Sequence, residues 1–481
     1  MTRSARIGLL VAITAAVAGC GLGPPPAPDE VLREALPQGT AVPSAWQARA
    51  ASAAVADDWL KSFADPVLNR LVAEAIAHNR DLAQAAESVR IAQQAVVVVG
   101  ARMLPMVGAQ LGARTTDNAN NGSANSTIAY AGVGWELDLW GRLRAQRAAA
   151  EAGAAASALD YAYARQSLAA TVAKAWYLAS EARQQLAVAR RAVQVYEELL
   201  ALVQVRRAAG KDSNLDVADT RAKLDVARAQ VQVTQAAYDE ARRALEVLIG
   251  RYPAAEIEAM QDYPALPPPV AAGAPASLLD RRPDLLAAQQ QLLLAFRRQQ
   301  SAQLALLPGA SISLLGGRLG DALLATLGLN PWLTSAAVGM SIPIYEGGAL
   351  RARVQIATAQ QAQAVAAYGA ALLGAFREVE NALGNEQMLS RRLPFDAGTL
   401  VNSAEAVRIA TIQYRAGKRD LLWVSNLQSD QIAAEANLVH VRGQQIANRI
   451  RLHLALGGSF DAPAVGSAEI DNPTDAPRGS P

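Results

Sequence analysis

From Val107 the side chains alternate along the chain. Odd positions read Val107, Ala109, Leu111 and Ala113, whereas even positions read Gly108, Gln110, Gly112 and Arg114. A period of two with one apolar face predicts a β-strand at about 105–114. A loop rich in Asn, Gly and Ser, 115–126, leads to a second alternating run at about 127–139. There Ala131, Val133, Trp135 and Leu137 oppose Gly132, Gly134, Glu136 and Asp138. Strands of the same kind are expected at about 309–317 and 333–344. In them Ile312 and Leu314 oppose Ser311 and Ser313, and Val338 and Met340 oppose Gly339 and Ser341.

Between these strands the period becomes helical. Helices are expected at about 67–103, 141–209 and 213–250, and again at about 278–306, 348–416 and 420–456. Pro105 ends the first of them, and 141–209 contains no proline, enough for roughly 100 Å of helix. Gly210 sits where a helix C-terminus favours glycine, and Asp212 or Ser213 is placed to cap the next helix. That helix carries a 3-4 seam that includes Val217, Leu224, Val231, Tyr238 and Leu245. Pro394 lies inside the fifth expected helix, which its missing N–H should kink or break.

The chain is written twice. Leu104-Pro105 recurs as Leu307-Pro308, an offset of 203 (307 − 104). Ala209-Gly210-Lys211 recurs as Ala416-Gly417-Lys418, an offset of 207 (417 − 210). An offset that changes only by four marks a duplication. Residues 65–250 form the first repeat and 278–458 the second, joined by a Pro-rich connector at 251–277. Odd offsets flip the apolar parity between the two strand pairs, as observed. The fold class is therefore mainly α with a small β contribution, each half a strand hairpin set among long helices. Four two-faced strands suit a membrane or a half-buried soluble sheet. In lipid, four strands leave open edges, so copies must pool them: two give eight strands and three give twelve.

The N-terminus adds a location. Arg3 and Arg6 precede an apolar run, Ile7 to Val17, then Val17-Ala18-Gly19-Cys20, the only cysteine. The run is too short to span a bilayer and resembles a bacterial lipoprotein signal. Residues 1–19 would be removed and Cys20 acylated, which makes 20–64 a lipid-anchored extension; 459–481 is expected to be a disordered tail. After Cys20 no apolar run approaches the ~20 residues of a membrane helix, so any insertion must use strands. With one cysteine no disulfide framework is possible, and a formal net charge of +2 gives no argument for nucleic acid.

Several motifs in order then resemble one family, the TolC-type outer-membrane channels of tripartite efflux pumps. They are Trp59 with Phe63-x-Asp65-Pro66-x-Leu68, Asn79-x-Asp81-Leu82, Trp135 to Arg142, Leu279-x-Arg281-Arg282-Pro283-Asp284, and Ser341-Ile342-Pro343-Ile344-Tyr345. The resemblance runs from the lipobox to about Gly458. It implies a homotrimer with a twelve-stranded barrel over a long α-helical tunnel, in the outer membrane of a Gram-negative bacterium. Implied partners are a periplasmic adaptor protein, an inner-membrane RND-type transporter and outer-membrane lipid. The duct would conduct drugs or other small molecules passively; the alternative is the outer-membrane channel of a type I secretion system, and after it a lipid-anchored coiled-coil scaffold. Two residues depart from the family pattern: Gln289 stands for Glu, and Asn426 for Asp. The second loop, 319–331, is unusually apolar.

No nucleotide-binding loop, metal-ligand spacing or nucleophile elbow appears, so neither catalysis nor a cofactor is expected. His78, His440 and His453 are isolated in helical stretches and are expected to be exposed or pore-lining. The resemblance places a periplasmic aperture at Leu215, Asp219, Leu422 and Asn426. It places adaptor docking at the two turns, Gly210-Lys211 and Gly417-Lys418.

Overall fold

The computed structural model describes residues 24–37, 42–48, 53, 55–118, 122–321 and 332–461. Cys20 lies outside them, as do the signal segment, loop residues 322–331 and the tail beyond Asp461. The described residues fall in two compact units. One holds the sheet with 86–161 and 284–372, the other 55–85, 162–283 and 373–461. No helix among the described residues is long and apolar enough to cross a membrane.

In chain order the helices are α1 (Pro28–Ala35), α2 (Pro66–His78), α3 (Arg80–Ala101), α4 (Arg142–Ala208) and α5 (Asn214–Leu248) in the first half. The second half has α6 (Leu278–Arg281), α7 (Pro283–Leu304), α8 (Ala349–Arg415) and α9 (Leu421–Ala455). The duplication is visible in these bounds. α4 and α8 have 67 residues each, α5 and α9 have 35 each, and both pairs are displaced by 207 (349 − 142, 421 − 214). α3 and α7 have 22 residues each, displaced by 203 (283 − 80).

Where one long helix was expected in each half, the structure has two, and the breaks are repeat equivalents. At the first, Asn79 turns extended, its Oδ1 accepts from Leu82 N and its Nδ2 donates to Leu248 O. At the second, Arg282 precedes Pro283, which disfavours helical backbone, and its Nη1 donates to Ala455 O. Leu248 and Ala455 are themselves equivalents, so each break satisfies a carbonyl at the end of the following hairpin. Gly250 at φ +81° and Gly457 at φ +69° then let the chain pass close to His78 and Arg281.

Pro394 does not break α8, which runs unbroken from Ala349 to Arg415. Proline removes one ladder bond. Around it Arg392 Nε binds Asp396 at 3.0 Å, and Asn437 of α9 donates to Asp396 at 2.9 Å, bracing the turn from outside.

The strands are β1 (Met106–Asn118), β2 (Gly122–Leu137), β3 (Gly309–Asp321) and β4 (Trp332–Ser341), an antiparallel sheet in the order β1-β2-β3-β4. The first hairpin extends beyond expectation, pairing as far as Asn118↔Gly122. Its run of Asn, Ser and Thr does not end the ladder. Register joins the apolar sets across every pair: Val107↔Val133, Val133↔Leu314 and Ile312↔Val338. One face is thus continuous through all four strands, with Gln110, Tyr130, Ser313 and Ser335 on the other.

The helical unit has a closed core built on Trp59, Phe63, Leu68, Trp176, Tyr177 and Leu245. Asp65 organises it. One carboxylate oxygen caps α2 through Val67 N and Leu68 N, and the other accepts from Trp176 Nε1 at 2.7 Å. In the N-terminal extension, read from sequence only as lipid-anchored, α1 packs Val31 against Leu292, Val365 and Tyr368 in the unit that holds the sheet. The connector is pinned by Arg449, which is buried, donates to Pro267 O and Pro268 O, and pairs with Glu386. His453 corrects its expectation. It is 4% exposed, stacked on Trp59 at 5.5 Å, and burial lowers its pKa to about 4. His440 is exposed as expected and bonds Glu181 at 2.7 Å.

Candidate functional site

The α4–α5 and α8–α9 hairpins each end in a turn built alike. Gly210 at φ +73° and Gly417 at φ +72° occupy the left-handed position that glycine tolerates without strain. Gly210 N donates to Arg207 O and Lys211 N to Arg206 O; Gly417 N and Lys418 N do the same to Tyr414 O and Gln413 O. This double bond pattern closes a helix C-terminus. The next helix is capped differently in the two copies. Ser213 and Asp216 form a reciprocal capping box on α5, whereas Asp420 alone accepts from Trp423 N at 3.2 Å on α9.

The two turns are tied together by Asp212, a residue expected from the sequence only to cap α5. Asp212 receives Arg206 Nε on both oxygens, at 3.1 and 3.0 Å, and accepts from the Tyr414 hydroxyl. The Arg206 guanidinium lies 4.2 Å from the Tyr414 ring centroid, and its side chain and that of Asp212 are 11% and 6% exposed. The bond to Asp212 raises the Arg206 pKa, and burial with the Asp212 bond raises that of Tyr414, so the cluster stays as one ion pair with a neutral phenol. Below it Tyr196, Val203, Leu224, Leu421 and Val424 form a local apolar core. The sequence did hold a signal: the turn repeats, but Asp212 becomes Arg419 in the second copy, so this carboxylate has no equivalent.

The expected aperture residues sit on the first two turns of α5 and α9. Leu215 is 75% exposed and Leu422 59%, so neither is covered within the chain. Asp219 pairs with Lys223 at 3.6 Å, and Lys223 Nζ donates to Ser425 Oγ at 2.6 Å, linking α5 to α9. Asn426, Lys211 and Lys418 are exposed. Gln289 donates from Nε2 to the Tyr368 hydroxyl at 3.1 Å, using an amide N–H that glutamate lacks.

Comparison with known proteins identifies the family of the chain. Residues 71–251 and 274–458 match the model of the family described as Outer membrane efflux protein. A Pseudomonas putida protein named pyoverdine export outer membrane protein OpmQ is 30% identical over 443 residues, 88% of this chain and 93% of that one. Outer membrane protein OprJ of Pseudomonas aeruginosa is 29% identical over 468 residues, 94% of this chain and 95% of that one. Among solved structures, the outer-membrane channel OprN matches with a TM-score of 0.79 at 26% identity, over 89% of this chain and 99% of that one. The open-state outer membrane channel MtrE of Neisseria gonorrhoeae matches with 0.75 at 26% identity, over 88% and 98%. Both halves of the duplication are covered, and the chain belongs to the outer membrane efflux protein family, as an outer-membrane efflux channel.

Proposed function

We propose that three copies of this chain form the exit duct of a tripartite pump, with the four-stranded sheets pooled into one twelve-stranded barrel. The observation that carries this is the sheet itself. It has one continuous apolar face, and among the described residues β1 and β4 each lack a partner on their outer edge. Unpaired edges in hydrocarbon cost several kcal/mol per group, and pooling strands from identical chains removes them. Three sheets give a barrel wide enough for a lumen, whereas two would be filled by side chains.

The duct has no catalytic role and conducts passively, with energy supplied by an inner-membrane RND-type transporter through a periplasmic adaptor that meets the hairpin turns at Gly210-Lys211 and Gly417-Lys418. Its cargo is small molecules, a reading supported by relatives named for pyoverdine export and toluene efflux. Leu215 and Leu422 from three copies would ring the periplasmic aperture, with Asp219 beside them as a carboxylate ring and Asn426 adding no charge. Acylation of Cys20 would anchor each chain to outer-membrane lipid.

Two measurements on the same preparation test this reading. The protein solubilised from outer membranes should have the mass of a trimer, and radiolabelled fatty acid should enter the wild type but not Cys20→Ser. A monomeric mass would overturn the pooled barrel, and undiminished labelling of Cys20→Ser would overturn the anchor.

A further inference from the structure

We propose that a cavity between α3, α4 and α7, just below the sheet, holds the phosphate headgroup of an anionic phospholipid from the inner leaflet of the outer membrane. The inference rests on the duct proposed above and adds a lipid site to it.

The cavity has a volume of about 600 Å³ and lies within the unit that holds the sheet. Arg102 of α3 and Arg298 of α7 line it, with Gln146, Gln291 and Ser301 adding polar groups to its wall. Both arginines are exposed, and among the described residues neither guanidinium has an ion-pair or hydrogen-bond partner. The arginines at the start of α4 are all paired: Arg142 with Glu136, Arg144 with Asp138 and Arg147 with Glu151. No Asp or Glu occurs from Ser88 to Ala101 on α3, or from Leu285 to Leu304 on α7. Two guanidiniums in one cavity without a carboxylate suit an anion, and phosphate matches their fork of donors.

Position says which anion. Arg102 stands just before Met106, where β1 begins. Trp135, on the apolar face of β2, donates from Nε1 to Met103 O at 3.0 Å. Tryptophan at the end of a membrane strand marks the level of the headgroups, where a basic pocket recruits anionic lipid.

The side is set by α1. It packs on Leu292 of α7 and on Val365 and Tyr368 of α8, and the chain before Pro28 leads back to Cys20. A segment tethered to lipid through Cys20, as proposed above, lies outside the barrel, so Ala288 and Leu292 face outward. Gln291 and Arg298 are turned from these two by only about 90°, toward α4. The cavity therefore opens on the outer side, where lipid is.

Neighbouring copies do not reach it. They would join at β1 and β4, the edges of the sheet, whereas the cavity lies over α4, which continues from β2 inside the sheet. Nor is the cationic pair a by-product of the duplication. At the offset of 203, Arg102 corresponds to Ala305 (102 + 203) and Arg298 to Ala95 (298 − 203), so each half supplies one arginine at a place where the other has alanine.

Native mass spectrometry of the purified full-length protein, given dioleoyl-phosphatidylglycerol or dioleoyl-phosphatidylcholine, reads the site. The wild type should keep a phosphatidylglycerol on each chain and far less phosphatidylcholine. Arg102→Gln with Arg298→Gln should keep roughly thirtyfold less phosphatidylglycerol at the same lipid concentration. Arg351→Gln with Arg353→Gln removes the same charge at the start of α8, outside the cavity, and should bind like the wild type. Equal loss in the two double variants, or equal retention of both lipids by the wild type, would overturn the site. So would displacement of the lipid by millimolar inorganic phosphate, which marks a site for the free anion. A trimer lost on changing Arg102 and Arg298 would place a neighbouring copy in the cavity, and overturn the lipid as well. All these results leave the wild-type trimer, and with it the duct, standing. A wild type that is monomeric by mass would overturn both.

Discussion

The sheet and the helical hairpins solve opposite problems. In the hairpins the seam that joins them finds its cover inside the chain: Val203 and Val424 are fully buried, and Leu224 is 3% exposed. In the sheet almost nothing is buried. Leu111 is 85% exposed, Val338 79% and Val107 77%, and every residue of β4 is exposed. Both regions have equally regular apolar patterns, so pattern alone does not say what the pattern faces. The hairpins carry a core of their own, whereas in the proposed assembly the apolar face of the sheet meets lipid and its edges meet other copies.

Directional mutation is the strongest way to break that comparison. Arg at Ile312 or Val338, on the continuous apolar face, should cost roughly 2–4 kcal/mol near the bilayer midplane. Arg at Ser311 or Ser313, on the opposite face, should be far milder. Trimer yield in outer membranes separates the two sets, and equal damage from both would mean the apolar face does not meet lipid.

The hairpin region should instead respond to acid, through His453. Its folded pKa lies near 4 against an ordinary 6.5, so the unfolded chain takes up the proton first as pH falls. Stability from the neutral, buried ring is complete above pH 6.5 and is lost as pH falls through the window from 6.5 to about 4. The loss is at most roughly 3 kcal/mol. His453→Phe should flatten this part of the melting-temperature profile. An unchanged acid slope in that variant would show that His453 takes up its proton alike in the folded and unfolded states.

The smallest expected stability change lies at the turns. Tyr414→Phe removes one hydrogen bond to Asp212 and should cost about 1 kcal/mol, while leaving Arg206 paired. Adaptor crosslinking at the turns should fall more in a Lys211→Ala, Lys418→Ala double variant than in Tyr414→Phe, because both lysines are exposed and neither glycine is altered. Undiminished crosslinking in the double variant would remove the specific role of the lysines.

What could be read from the chain alone follows the range of the interactions. Strand faces and the long α4 and α5 helices were legible, since period and proline content are local. The duplication was legible because 203 and 207 are properties of spacing alone. The break at Asn79 was missed because it depends on a carbonyl at Leu248, far along the chain. α1 was missed because its apolar residues are few and its partners, Leu292 and Val365, lie in the other half. His453 was misread for the same reason: its helix gives no hint that Trp59 lies over it. Asp212 was seen as a possible cap. Its bonds to Arg206 and Tyr414 required the second hairpin to be in place.

Single-channel recording in planar bilayers tests the central claim most directly, that this chain forms a passive channel whose narrowest point is at the hairpin turns. Wild-type trimers should pass small currents, and Leu422→Ala, which shortens an exposed side chain without touching the core, should raise them. Asp212→Ala, which unties the two turns, should raise them further and sensitise cells to vancomycin. Folded trimers of both variants with the conductance of wild type would contradict it.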